Sequence, residues 1–96
     1  MQNHGFEWDD AKAAQNWHSH GITFGMAREA FLDAFAIEWL DYRRDADEPR
    51  FAMLGMVEHR LLFVAYTMRG DRIRIISARK AEPHERRRYH EDNSEA

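Results

Sequence analysis

Residues Arg69 to Arg88 read RGDRIRIISARKAEPHERRR, and eight of these twenty are Lys or Arg against three acidic residues. A guanidinium stays charged at any working pH and grips phosphate oxygens through a two-bond fork. Several together could stabilise the charge of a pentacovalent phosphate without a metal. His84 and Tyr89 are dissociable groups beside these cations. Nearby positive charge should pull either pKa down, toward acid or base work on a ribose hydroxyl or a leaving oxygen. The chemistry this describes is cleavage within RNA by the adjacent 2′-hydroxyl. Plainer readings stand beside it: Glu85 and Arg86 could pair with sheet residues to hold a helix down, and Tyr89 could be an aromatic at the core edge.

Other chemistries find little support. His18 and His20 are two apart, which points them to different sides of a helix, and His59, His84 and His90 are scattered. No HExxH or carboxylate–histidine spacing is present, so no metal set is expected. None of Ser19, Ser77 and Ser94 sits in a nucleophile elbow. The glycines are isolated, so phosphate loops and dinucleotide fingerprints are missing and no cofactor is expected.

Charge is segregated along the chain. Residues 1–58 carry a balance of −6, residues 59–88 a balance of +6, and the last eight residues −3. A basic wall on an acidic body suits a polyanion or an acidic partner, unless its arginines merely coat a solvated sheet face. Ninety-six residues make one domain, 1–96, with a polar tail from about residue 90. There is no cysteine, which fits a reducing compartment, and no apolar run long enough to span a membrane. The cytoplasm is the expected location.

The elements that must position the arginines can be read from capping and periodicity. Phe6 to Trp8 suggests a short strand. Asp9 or Asp10 caps a helix ending near His20, with Gly21 as its left-handed stop. Ala11, Ala14 and Trp17 recur at helical spacing and should face the core. Thr23 caps a second helix, with Ile22 stapling against Ala27 and an end near Asp33 or Ala34. Strands follow at Ala36–Leu40, Phe51–Val57, Leu61–Met68 and Arg72–Ala78, with 41–49 as a charged loop. The short links Glu58-His59 and Arg69-Gly70-Asp71 demand antiparallel hairpins. Pro83 opens a last helix that frays after Tyr89. The order is β-α-α-β-β-β-β-α, an α+β domain with helices on an antiparallel sheet. Without a bulge, Arg72 and Arg74 share one face with Ile76. Ile73, Ile75 and Ser77 share the other, and Arg79 and Lys80 fall on opposite faces. The tryptophans Trp8, Trp17 and Trp39 lie in the acidic body and read as core rather than stacking platforms.

Two segments, FEWDDAKAAQNWHSHGITFGMAREAF and RLLFVAYTMRGDRIRIISARKAEPHERRRY, resemble the BrnT family of toxins from bacterial type II toxin–antitoxin modules. The resemblance runs from about Phe6 to Tyr89. It implies a compact RelE-like fold and a metal-independent endoribonuclease that inhibits translation. It also implies a BrnA-type antitoxin that neutralises the toxin, forms a hetero-oligomer with it and binds operator DNA. Carried onto this chain, it puts catalysis on Arg79, Arg74, Lys80, Glu85 and Tyr89. RNA contact falls to Lys12, Arg60, Arg69 and Arg86, and the strand reading adds Arg72 to them. The chain departs from the family at Gly25-Met26, where a Glu pair is usual, and at Pro83-His84, so the family supplies no role for His84. Two other functions fit the same resemblance and the same charges: an inactive toxin-fold partner and corepressor, or an RNA-binding module without chemistry.

Overall fold

The computed structural model describes residues 2–3, 5–41 and 48–94. Most of the 41–49 loop, and the end of the polar tail, lie outside the described residues. Nine elements follow one another: β1 (Gln2–Asn3), β2 (Phe6–Glu7), α1 (Asp10–His20), α2 (Phe24–Ala30), β3 (Ile37–Leu40), β4 (Phe51–Val57), β5 (Arg60–Arg69), β6 (Arg72–Lys80) and α3 (Pro83–Asn93). They build one six-stranded sheet in the order β1-β2-β6-β5-β4-β3.

The sheet is mixed rather than antiparallel. β3 through β6 pair antiparallel, which the short links require for β4, β5 and β6, but β2 runs parallel to β6 with Phe6 opposite Ile73 and Glu7 opposite Arg74. Link length constrains only neighbours in sequence, so it said nothing about where the first strand would dock. The chain also opens with an extra two-residue strand, β1, antiparallel to β2. No helix among the described residues is long and apolar enough to cross a membrane.

Local signals set the element ends. The Asp9 carboxylate accepts from the amides of Ala11 and Lys12, and Gly21 closes α1 at φ 68°. The Thr23 hydroxyl accepts from the Met26 amide, so the cap survives without a carboxylate at position 26. α2 is shorter than its pattern suggests and unwinds into turns after Ala30. α3 runs one turn past Tyr89, to Asn93, whose amide bonds the Tyr89 carbonyl.

Both faces of the sheet are apolar at its centre. On one, Ile22, Phe24, Ala27 and Ala30 from the α1–α2 segment pack on Met53, Val57, Leu62, Val64, Tyr66, Ile75 and Ala78. On the other, Tyr89 and Ala81 cover Leu54 and Leu61, with Ile37, Trp39, Met56 and Phe63 around them. α1 departs from expectation. Ala11, Ala14 and Trp17 are exposed, and the inward positions are Ala13 and Asn16. α1 lies along the edge of β6 rather than over an apolar face. The Asn16 side-chain amide bonds both the carbonyl and the N–H of Ala78, and also the Ile22 carbonyl. It takes the place a further strand would fill, satisfying backbone groups that could not be left bare.

Gly55 records how closely α2 sits on β4. A methyl there would lie 2.6 Å from the Ala30 carbonyl oxygen and 3.0 Å from its Cβ. Gly55→Ala should therefore push α2 off the sheet and cost about 1–3 kcal/mol. A thermal midpoint lowered by about 5–15 °C would show this. An unchanged midpoint would mean that α2 is free to shift.

Candidate nucleic-acid interface

α3 covers only one end of its face of the sheet. Beyond it, the strand register decides which β6 side chains are presented. Arg69 stands opposite Arg72, Thr67 opposite Arg74, Ala65 opposite Ser77 and Phe63 opposite Arg79, with a register shift at Ala65/Tyr66. Directly paired residues share a face. The alternation therefore skips one position at Ile76, as a β-bulge does. Arg72, Arg74, Ser77 and Arg79 all lie on the open face with Phe63 and Ala65. Simple parity had put Arg74 and Arg79 on opposite faces.

Three depressions run together along this surface. One of about 270 Å³ is lined by Asp41, Arg50, Phe63, Ala65, Ile76, Ser77 and Arg79. The next, about 80 Å³, is lined by Lys12, Glu48, Arg50, Thr67, Arg69, Arg74 and Ile76. The third, about 270 Å³, lies toward α1 between Lys12, Gln15, Asn16, Ser19, His20, Arg50, Ile76 and Ser77. Arg50 and Ile76 belong to all three, so they mark the middle of one trough. Arg50 was missed in the sequence, where its only signal was a charge at a loop exit. The His20 position in the trough was missed as well.

Each arginine of the trough is held differently. The Arg79 guanidinium donates end-on to both Glu85 oxygens, at 2.8 and 2.9 Å, and to the Lys80 carbonyl at 3.2 Å. Its carbon sits 4.2 Å above the Phe63 ring. Of five N–H donors, these bonds leave the side fork, Nε–H and one Nη2–H, for a ligand. Glu85 accepts in turn from the Glu82 amide, so the α3 capping box and the arginine clamp share one carboxylate. Burial pushes the Glu85 carboxyl up, but the bonds from Arg79 and the Glu82 amide outweigh it and hold the group below its ordinary range. The same pair raises Arg79. Arg74 donates to Glu7 at 2.7 Å, and Arg69 to Glu48 at 2.7 and 3.2 Å. Arg72 reaches the Phe6 carbonyl at 3.4 Å.

Not every residue singled out from the sequence arrives. Lys80 pairs with Leu62 and Arg60 with Val57, which places both on the face covered by α2. Arg86 is exposed on α3 and lines none of these depressions. Tyr89 is buried, and its hydroxyl donates to Asp33 Oδ2 at 2.6 Å. Burial first, then the Asp33 carboxylate, push its pKa up to about 12, where the sequence had suggested a fall. Asp33 lies 56 residues away in sequence, and nothing local pointed to it. Glu82, His84 and Glu85 bring possible metal-ligand atoms within 4.8 Å of one another, but both Glu85 oxygens already serve Arg79.

Residues 8–85 match the family described as ribonuclease toxin, BrnT, of type II toxin–antitoxin systems. The chain belongs to that family. No curated protein matches it. The BrnT match covers α1, which lines the trough, α2, every strand from β3 to β6, and the start of α3 through Glu85.

Proposed function

We propose that the trough centred on Arg50 and Ile76 is where this toxin cleaves RNA, within the strand and without a metal. The observation that carries this reading is the bulge at Ile76, which gathers Arg74 and Arg79 on one open face with Lys12, Arg50 and Arg69. In the reaction, the 2′-oxygen bonds to phosphorus and the P–O5′ bond breaks. The 2′ proton is lost to solvent or a base, and the 5′-oxygen takes up a proton. The products are a 2′,3′-cyclic phosphate and a 5′-hydroxyl. Arg79 meets the charge that develops on the phosphate oxygens, and Glu85 keeps the guanidinium aimed. Glu85 is thus a positioning residue, since its bonds to Arg79 leave it a poor base. Arg74, Lys12, Arg50 and Arg69 track the flanking phosphates.

In this proposal the fold is a RelE-like one and the toxin acts in the cytoplasm to inhibit translation. A BrnA-type antitoxin neutralises it by covering the open face or α3, and the hetero-oligomer binds operator DNA through the antitoxin. A basic trough is a fitting target for an acidic segment that folds on contact. One observation favours a second reading, an inactive partner and corepressor. Arg69, Arg74 and Arg79 each already face a carboxylate, so much of the positive charge is met inside the molecule.

Incubating RNA with the purified toxin in EDTA, with and without antitoxin, separates the two. Cleavage in EDTA that the antitoxin suppresses supports the ribonuclease trough. Intact RNA from folded protein leaves the corepressor reading.

A further inference from the structure

Beside the Arg79 clamp lies a second cleft, of about 160 Å³, lined by Trp39, Phe63, His84, Glu85 and Arg88. α3 offers Glu85 and Arg88 to it one turn apart, a spacing that puts both on the same helix face. The Arg88 guanidinium lies 4.0 Å above the Trp39 indole, as the Arg79 guanidinium lies 4.2 Å above Phe63. The two rings meet edge to face with centroids 6.0 Å apart. Two cation–ring pairs therefore stand side by side, one of them at the proposed reaction centre. They differ in one respect. Arg79 is fixed by a carboxylate, whereas among the described residues no carboxylate lies within salt-bridge distance of Arg88. Arg88 is exposed and Trp39, on the edge strand β3, is half-buried. Trp39 also packs against the Tyr89 cluster, but the helix has anchors of its own in the Glu85–Arg79 and Tyr89–Asp33 bonds.

We infer that Trp39 and Arg88 form a stacking subsite for one unpaired nucleobase, next to the phosphate that Arg79 holds. This rests on the ribonuclease reading and gives it a base-contacting element. The indole supplies a flat apolar face, and the guanidinium, itself planar, closes over the other side of the base. Insertion needs Arg88 to move from about 4 Å to about 7 Å above the ring, two stacking distances. A side chain held by a ring alone can make that movement. Stacking tolerates any base, so the subsite selects unpaired over duplex RNA.

The test uses a single-stranded 2′-O-methyl oligonucleotide, which lacks the attacking hydroxyl, and the same strand with abasic positions introduced one at a time. Trp39→Leu should weaken binding of the intact strand about tenfold and leave binding of the best-placed abasic strand within about twofold. Trp39→Phe should recover most of the loss. Arg88→Ala, at an exposed helix position, should show the same base dependence and carries the comparison if Trp39→Leu fails to fold. Variants that weaken intact and abasic strands alike, or neither, overturn the subsite while wild-type cleavage leaves the ribonuclease reading standing. A wild-type toxin that neither cleaves unmodified RNA nor binds the analogue removes both.

Discussion

Replacing Arg79 by alanine is expected to reduce RNA cleavage by about 10²–10³, the loss seen when one preorganised donor to a developing oxyanion is removed. The expectation follows from how much of the surrounding structure exists to aim this one side chain. Glu85 takes its outer nitrogens, the Lys80 carbonyl takes another hydrogen, and the Phe63 ring lies under its plane. What remains is a two-donor edge on a side chain that lines the open-face depression. Arg79→Lys should restore little, because a single ammonium cannot bond two Glu85 oxygens and present a two-donor edge at once. Glu85→Gln makes the sharper comparison. The amide keeps the shape and one acceptor, so the helix cap survives in part, but Arg79 loses the charge that fixes it. Cleavage should fall by less than in Arg79→Ala, with the loss in kcat rather than KM. Single-turnover assays on a short RNA would show this. Full activity in a folded Arg79→Ala protein would remove the arginine from the chemistry.

The path from sequence to this site was legible in parts whose physics is local. The caps at Asp9 and Thr23, the stop at Gly21 and the hairpins at Glu58-His59 and Gly70-Asp71 each depend on residues within a few positions. What sequence reading missed depends on partners far along the chain. Strict alternation through RIRIISARK separates Arg74 from Arg79, and the bulge that reunites them left only the doubled Ile75-Ile76 as a trace. α1 shows the same limit. Its alanines and Trp17 suggested an apolar stripe, yet the helix docks on a strand edge, where an amide serves better than a methyl. A polar residue became the buried one because it met backbone, not core. In the sequence Tyr89 stands between an acid of the basic wall and an aromatic at the core edge, and its partner from the α2–β3 connection goes with the second.

That partner carries the second large expected effect. Asp33 Oδ1 accepts from the Phe35 amide at 2.9 Å, while Oδ2 accepts from the Met56 amide at 2.8 Å and the Tyr89 hydroxyl at 2.6 Å. One carboxylate thus ties the turn before β3 to β4 and to α3. Asp33→Ala strands a strand amide and a buried hydroxyl together and should cost about 3 kcal/mol. Asp33→Asn should cost less, because its oxygen still accepts two of the three bonds while its NH2 opposes a donor.

The pH dependence has a definite sign. Burial pushes the Asp33 carboxyl up, but the bonds from Tyr89, Met56 and Phe35 outweigh it and hold it below its ordinary 3.8. The folded state therefore binds fewer protons than the unfolded chain in acid. The contribution is present above the unfolded value and is lost as pH falls through the folded one. Glu85 adds the same sign from an ordinary value of 4.5. Tyr89 acts at the other end: its contribution is full below pH 10 and is lost as pH rises toward about 12. Urea midpoints between pH 7 and 3 should fall steeply for the wild type and less steeply for Asp33→Asn, which has no proton to bind there. Tyr89→Phe should weaken the alkaline limb, to which Tyr66, raised by burial and by Glu38, also contributes, and should lower stability, yet leave cleavage per folded molecule near the wild-type rate. A folded Tyr89→Phe protein that cannot cut RNA would mean the hydroxyl leaves Asp33 for the substrate. The trough would then extend beneath α3.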